Sequence, residues 1–213
     1  MARTGWIAAA LALAAPAAVP AQQSIEAPGT IDHPRAGTGF PERVGEFRRV
    51  SATSFDKDGT NLSASYGLER PGAGLLISVY IYPADRFRQE IGSAETDRAA
   101  LCRQEFQTVR EAIERTQQNP QAIEPGPAAA VPGTEAELSH RVVYRFRTRI
   151  GAELREVRSE ARLYCNVGDW HVKYRATGPI EFDPNAAIDS FIRLGPWPGR
   201  TPAAAPGDIA LRN

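Results

Sequence analysis

The pattern that most constrains the fold of this chain is a strict alternation of apolar and polar residues beginning at position 138. Neighbouring side chains of a β-strand point to opposite sides of a sheet, so alternation indicates a strand with one buried face. One side of this segment carries Leu138, His140, Val142, Tyr144 and Phe146. The other side carries Arg141, Arg145, Arg147 and Arg149. The segment therefore predicts a long, half-buried strand.

Two short turns fold this region into a meander of three strands. Gly151-Ala152 suits a type II′ turn, and Gly168-Asp169 suits a second tight turn. Together they set Leu163 between His140 and Tyr174. In this register one side of all three strands is apolar, and a slip of one residue would destroy the agreement. We therefore predict a meander over residues 138–177 whose opposite side is polar.

The first half of the chain predicts a similar meander followed by a helix. Residues 50–68 alternate on both sides of a turn-forming cluster, and Leu75–Tyr82 is a nearly continuous apolar run. The apolar spacing then changes to that of one helical face, with Ala99, Cys102, Phe106, Val109 and Ile113. A shorter closing helix is predicted between Asp183 and Gly195.

This element order predicts an α+β fold. We expect a mainly antiparallel sheet, built as two three-stranded meanders, packed against one long and one short helix. The domain is placed at residues 42–195, after a loose leader over 22–41 and before a Pro/Ala-rich tail over 196–213. The Pro-rich segment 119–133 is interpreted either as a long loop or as a linker between two halves.

The element order over residues 42–195 is similar to that of the PsbP/Mog1-like α/β/α sandwich: meander, long helix, meander, C-terminal helix. The chain also resembles small exported bacterial proteins of unknown function. The first resemblance implies an accessory or assembly role without catalysis. No metal-binding residues of that family are matched in this sequence.

The N-terminus has the pattern of a secretory signal. Arg3 precedes an apolar stretch from Trp6 to Ala18, and Val19-Pro20-Ala21 supplies small residues at a cleavage site. The apolar stretch is short for a membrane span, which favours a signal peptide over residues 1–21 rather than a retained anchor. We expect a periplasmic or secreted protein without a transmembrane anchor after cleavage.

Export changes the expectation for the two cysteines. Cys102 lies on the apolar stripe of the long helix and Cys165 on the apolar side of the meander, so both should face one helix–sheet interface. In an oxidising compartment they predict a disulfide, and two separate buried thiols are the alternative. Neither cysteine has an obvious neighbouring base, and no CxxC or HxxxH spacing occurs. The sequence predicts no catalytic residue, no metal site and no cofactor.

The charges are balanced overall but distributed unevenly. The 25 basic and 25 acidic residues argue against nucleic-acid binding, whereas residues 138–177 contain nine basic and four acidic residues. The polar side of the second meander, here called the predicted basic face, carries Arg141, Arg145, Arg147, Arg149, Arg158, Arg162, Lys173 and Arg175. Two interpretations stay open: a surface for an anionic partner, or a solvated face.

Other candidate sites have simpler interpretations. Asp56, Asp58 and Asn61 resemble the start of a calcium loop, but the misplaced Gly59 and the lack of a later Glu favour a hairpin turn. The histidines are expected in the core (His140), on the polar face (His171) and in the leader (His33).

Three functions are compatible with these features. The leading hypothesis is an exported, non-catalytic accessory or binding protein of the bacterial cell envelope that engages an anionic partner through the predicted basic face. The second is a small-ligand carrier with a pocket between sheet and helices, near Tyr66, Tyr80 or Trp170. The third is a hydrolase whose constellation assembles only in space, since GxSxG and HExxH motifs are absent.

Overall fold

The computed structural model describes residues 22–70, 74–84, 95–128, 138–150, 152–167 and 169–200. The predicted signal peptide, residues 1–21, lies outside these ranges, as do residues 129–133 and 201–213. In chain order the elements are β1 (Gln23–Ser24), β2 (Ile31–His33), β3 (Thr38–Phe40), β4 (Arg43–Val44), β5 (Phe47–Ser54), β6 (Leu62–Leu68), β7 (Leu76–Pro83), α1 (Glu95–Thr116), β8 (Gln121–Gly126), β9 (Leu138–Ile150), β10 (Glu153–Val167), β11 (Trp170–Pro179) and α2 (Asn185–Leu194).

One antiparallel sheet of nine strands dominates the described part of the chain. Its order is β1-β5-β6-β7-β11-β10-β9-β8, with β4 also paired to β5, while β2 and β3 form a small separate sheet. The predicted fold class is therefore wrong. The two three-stranded meanders are not separate units packed against one long and one short helix, but parts of a single large sheet.

The two meanders join because β7 pairs with β11, from Trp170 opposite Pro83 to Thr177 opposite Leu76. Each meander alone would leave an edge of unpaired backbone groups, which sheets tend to pair or cover. These two strands lie far apart in the chain, so no local pattern indicates that they are neighbours.

The Pro-rich segment also supplies a strand. Gln121–Gly126 forms β8 and pairs with β9 at the edge of the sheet. Proline has no backbone N–H to donate to a neighbouring strand. An edge strand such as β8 tolerates Pro125 because it has a neighbour on one side only. Residues 121–126 of this segment are therefore part of the sheet.

Residues from the predicted leader and tail pack into the domain. Between residues 22 and 41, β1 pairs with β5, and Ile31 and Phe40 are buried. Trp197 is 1% exposed and contacts the ring of Tyr164 at 5.1 Å. In the described residues the packed domain thus extends on both sides of 42–195.

One of the two predicted registers needs correction. The β9–β10 register is confirmed along the whole ladder. In the β10–β11 ladder, however, Leu163 pairs with Lys173 rather than with Tyr174. A register shift between Tyr164 and Val167 accounts for the difference, because a bulge adds one residue to one strand only. The side chains of β11 therefore point to the sides opposite to those predicted.

The sheet buries side chains on both of its faces. The α1 face lies under helix α1, whose Val109 and Ile113 pack with Val142, Phe146 and Ala161. The opposite, α2 face is covered by helix α2 and by the N- and C-terminal segments of the described chain.

Helix α2 anchors its face through one aromatic residue. The ring of Phe191 makes edge-to-face contacts with Phe47 and Tyr66, each at 5.1 Å, and with Tyr174 at 6.2 Å.

Among the described residues, no helix has both the length and the apolar composition needed to cross a bilayer.

The predicted disulfide is confirmed. Cys102 of α1 and Cys165 of β10 are bonded, with their Cα atoms 5.9 Å apart, and both residues are buried beside Leu163. The bond connects residues 63 positions apart. It ties α1 to the centre of the sheet, where the amphipathic stripe of the helix already packs.

We expect the double variant Cys102→Ala/Cys165→Ala to unfold more readily. A loop of this length corresponds to about 4 kcal/mol in the chain-entropy model. Urea unfolding of the non-reduced proteins measures the difference. A reductant should lower the stability of the wild-type chain to that of the variant and leave the variant unchanged. Equal stability of the non-reduced proteins would contradict this role.

Candidate functional site

The corrected register divides the predicted basic face between the two faces of the sheet. The α2 face carries Arg141, Arg145, Arg147 and Arg149 of β9, and Arg158 and Arg162 of β10. The α1 face carries Lys173 and Arg175, which pair with Leu163 and Ala161. The eight cations therefore do not form one surface.

Three of these arginines surround one buried carboxylate. The side chain of Glu160 is 1% exposed and accepts hydrogen bonds from Arg141 Nε (2.9 Å) and Nη2 (3.0 Å) and from Arg162 Nε (2.6 Å). Arg162 Nη1 donates to Asp189 of α2 at 2.7 Å, and Arg158 Nη2 lies 3.6 Å from Glu160 Oε2. These arginines hold β9, β10 and α2 together.

The contacts around Glu160 lower its pKa and offset the repulsion between two arginines of the β9–β10 ladder. Burial alone would raise the pKa of Glu160, but hydrogen bonds from Arg141 and the charge of Arg162 hold it below its ordinary value. Arg141 and Arg162 are direct cross-strand partners, a like-charge pair that would be unfavourable by itself. Glu160 neutralises it.

The sequence around Glu160 contains a signal for its role. Arg158 and Arg162 lie two residues before and after it, on the same side of β10, and that spacing is the signal that could have indicated a shared carboxylate. Asp189 could not have been found, because it enters the cluster from a separate helix.

The remaining arginines of β9 lie on a projecting part of the sheet. β8 pairs with β9 no further than Arg145, and β11 pairs with β10 only from Val157 onward. Residues 145–150 and 152–156, here called the hairpin tip, therefore extend as two strands beyond their neighbours. Arg145, Arg147 and Arg149 are all exposed there.

The hairpin tip contains four arginines and two glutamates, so its formal net charge is +2. Arg145 Nε lies 3.4 Å from Glu156 Oε1, with both side chains nearly half exposed. An ion pair so open to water contributes little to stability and leaves both groups available. The surface of the hairpin tip therefore differs from the interior network around Glu160.

On the α1 face, Lys173 and Arg175 face the strand β7. Lys173 pairs with Tyr80 and places its Nζ 4.0 Å from the centre of that ring, a cation–π contact. Arg175 pairs with Ser78, and its Nε lies 3.4 Å from the Oγ of Ser159. Both cations are half-buried.

Neither cation has a carboxylate within 4.0 Å among the residues that the structure describes. Burial lowers the pKa of Lys173 to about 8, although the more distant charge of Glu105 partly opposes the shift. Burial also lowers the pKa of Arg175. Half-buried cations without a counter-ion are candidates for binding an anion.

The three histidines are buried or half-buried. His33 is buried, its Nδ1 accepts the N–H of Ala36 at 3.1 Å, and its Nε2 donates to the carbonyl of Thr60 at 3.1 Å. His140 stacks on Phe106 of α1. His171, expected on a polar surface, is buried.

The Asp56 segment is a hairpin turn in the structure. The carboxylate of Asp56 accepts the N–H of Thr60 at 2.9 Å and its hydroxyl at 2.6 Å. Gly59 has a φ of 65°, in the left-handed region that favours glycine. In the described chain no group of three or more His, Cys, Asp or Glu side chains is placed to hold a metal.

The three aromatic residues named as alternative places for a ligand pocket lie in different parts of the described structure. Tyr66 is fully buried on the α2 face, where its hydroxyl donates to the carbonyl of Pro41 at 3.0 Å. Tyr80 lies on the α1 face, and Trp170 packs against His33 at 4.6 Å. Of the three, Tyr80 is the one beside the half-buried cations.

We expect Glu160→Gln to destabilise the protein by about 3 kcal/mol at neutral pH, since it leaves the buried guanidinium of Arg162 without its closest carboxylate. Urea unfolding measures the loss. Glu156→Gln, which removes an exposed partner of Arg145, is the matched control and should change stability by less than about 0.5 kcal/mol. Equal effects of the two variants would contradict a structural role for Glu160.

The same pair of proteins should differ less in acid. The folded-state pKa of Glu160 is lowered, so its contribution is complete above the ordinary pKa of a glutamate and is lost as the pH falls through the folded value. The free energies of unfolding of wild type and Glu160→Gln should therefore converge below about pH 4. A difference that stays constant with pH would contradict the shift.

Comparisons of this chain with protein-family models, with curated proteins and with solved structures find no match, so the similarity of its element order to the PsbP/Mog1-like sandwich stays a prediction.

Proposed function

We propose that this chain is an exported, non-catalytic binding protein of the bacterial cell envelope, and that its hairpin tip contacts an anionic group of another envelope component. The observation that carries the proposal is the row of three exposed arginines, Arg145, Arg147 and Arg149, on one side of a hairpin that extends beyond the rest of the sheet.

The geometry of the hairpin tip suits an extended partner. Alternate residues of a strand are about 6.7 Å apart, so the three guanidinium groups are distributed over about 13 Å. Guanidinium groups form paired hydrogen bonds to carboxylates and phosphates, and arginine is enriched at protein interfaces. The spacing fits a surface with several negative groups better than it fits one small ion.

An apolar side chain accompanies the arginines. Leu154 is the cross-strand partner of Arg149, and it is 50% exposed. A charged surface with an exposed leucine at its edge offers both attraction at a distance and apolar area to bury on contact. Arg141, Arg158 and Arg162 are excluded from this surface because they surround Glu160 in the interior.

Two features support the export part of the proposal. Residues 1–21 have the composition of a signal peptide, and the mature part of the chain contains the disulfide between Cys102 and Cys165. Disulfides persist mainly in oxidising compartments such as the periplasm.

We expect the double variant Arg145→Glu/Arg147→Glu to lose its partner. The immobilised chain without residues 1–21 is exposed to an envelope extract at low ionic strength, and bound material is eluted with salt, because contacts between exposed charges are screened. The wild type should retain a component that salt releases. Mass spectrometry and lipid and sugar analysis of the eluate identify its class.

The matched control is Arg48→Glu/Arg70→Glu, which makes the same change in net charge at exposed arginines away from the hairpin tip. It should bind as the wild type does. Unchanged capture by the Arg145→Glu/Arg147→Glu protein, or equal loss in the control, would refute the role of the hairpin tip.

A further inference from the structure

A second basic site lies on the α1 face, on the opposite side of the sheet from the arginines of the hairpin tip. The surface of this site, here called the floor, is formed by the neighbouring strands β11, β7 and β6, which carry small polar side chains there. Ladder pairing places Arg175 beside Ser78, and Ser78 beside Ser65. The hydroxyl oxygens of Ser65 and Ser78 are 2.7 Å apart. One side of β11, β7 and β6 therefore carries an arginine followed by two serines, and the Nε of that arginine also lies 3.4 Å from the Oγ of Ser159 on β10.

A second row of cross-strand neighbours lies beside the first on the same three strands. Lys173 pairs with Tyr80, and Tyr80 pairs with Ser63 on the next strand. The ring of Phe55 lies 6.1 Å from that of Tyr80, so aromatic surface borders the polar floor. Tyr80 and Phe55 are both only half-buried.

Helix α1 borders this floor rather than covering it. The helix packs on β9 and β10, and the hydroxyl of Tyr82 on β7 donates to Glu105 of α1 at 2.8 Å. In the described chain the floor formed by β11, β7 and β6 lies beside α1, and Tyr82 stands at the boundary. The Nζ of Lys173 is 5.9 Å from the centre of the Tyr82 ring, so Lys173 lies near this boundary with the helix.

Among the described residues, no carboxylate lies within ion-pair distance of either cation at this site, although the more distant charge of Glu105 favours the protonated form of Lys173. Lys173 and Arg175 lie two residues apart on one strand, and the charge of Arg175 opposes the protonated form of Lys173. A half-buried pair of like charges is unfavourable unless an anion approaches. A ligand with two negative charges would match the pair, whereas a single carboxylate would leave one cation unmatched.

We infer that Lys173 and Arg175, together with the hydroxyls of Ser65 and Ser78, bind the phosphate of a phosphomonoester whose organic part lies toward Tyr80 and Phe55. The two cations match a dianion. Because the two hydroxyls are hydrogen-bonded to each other, the pair supplies one further O–H donor for a group that carries several oxygens. This inference does not depend on the proposed function of the hairpin tip, since the two sets of residues lie on opposite faces of the sheet.

Isothermal titration of the chain without residues 1–21 tests the site, with phenyl phosphate as the probe. Phenyl phosphate should bind more tightly than inorganic phosphate, because its ring can contact the aromatic border. Lys173→Met and Arg175→Met should each weaken binding about tenfold or more, as expected for loss of a charged donor. Ser65→Ala/Ser78→Ala should weaken it several-fold.

Arg193→Met is the matched control, because it removes an exposed cation of helix α2, outside both the hairpin tip and the α1 face. It should bind phenyl phosphate as the wild type does. The Arg145→Glu/Arg147→Glu protein should behave likewise, so failure of the envelope capture and failure of phosphate binding are separate results.

The pH dependence gives a readout that lost stability would not produce. Binding by the wild type should weaken between about pH 7 and about pH 9.5, as Lys173 loses its proton, whereas the phosphate stays a dianion. The Lys173→Met protein should lack this decrease. If circular dichroism shows that Lys173→Met does not fold, two other measurements test the site: the pH dependence of binding by the wild type, and the binding of phenyl phosphate by Ser65→Ala/Ser78→Ala.

Vesicles that contain phosphatidic acid distinguish a lipid phosphomonoester from a soluble one. Binding to these vesicles, beyond that to phosphatidylcholine vesicles, and loss of it in Lys173→Met would assign the site to a lipid head group. Binding of phenyl phosphate alone would assign it to a soluble ligand. No binding to either probe, or equal binding by wild type and Lys173→Met, would overturn the inference.

Discussion

The ladder between β7 and β11 is the interaction on which the rest of this structure depends. It joins two groups of strands that are distant in the chain into one sheet, and it removes two strand edges that would otherwise be open. A sheet of this width has two large faces, and each needs its own cover. Helix α1, held by the Cys102–Cys165 disulfide, lies on one face, and helix α2 with the terminal segments lies on the other.

The shift in register between β10 and β11 then decides where the positive charges lie. Because side chains alternate along a strand, an offset of one residue moves β11 from Val172 onward to the opposite faces. Lys173 and Arg175 are thereby separated from the arginines of β9 and β10. What looks like one basic face in the sequence becomes an interior network, an exposed hairpin tip and a half-buried pair.

These three groups of cations differ in their counter-charges, and this difference is the basis for assigning them different roles. Glu160 and Asp189 are the carboxylate partners of the interior network, so its arginines hold strands and helix α2 together. The arginines of the hairpin tip are solvated and accessible. Lys173 and Arg175 are half-buried and have no carboxylate within 4.0 Å in the described chain, and we therefore propose a ligand for them. Charge count alone could not have made this distinction, since burial and pairing determine what a charge does.

The sequence by itself determined the elements that depend on local pattern. Alternation predicted β9 and β10 with their register, helical spacing put Cys102 and Cys165 at one interface, and turn-forming residues predicted the hairpin at Asp56. Each of these follows from residues close in the chain or from a period that one element imposes. Only the tertiary structure decided that β7 meets β11, that Gln121–Gly126 and residues before position 42 add strands, and that Asp189 reaches Arg162. Those contacts join segments that are distant in the chain. They form because open sheet edges, exposed apolar faces and buried charges require partners, and a local sequence pattern does not indicate which distant segment supplies them.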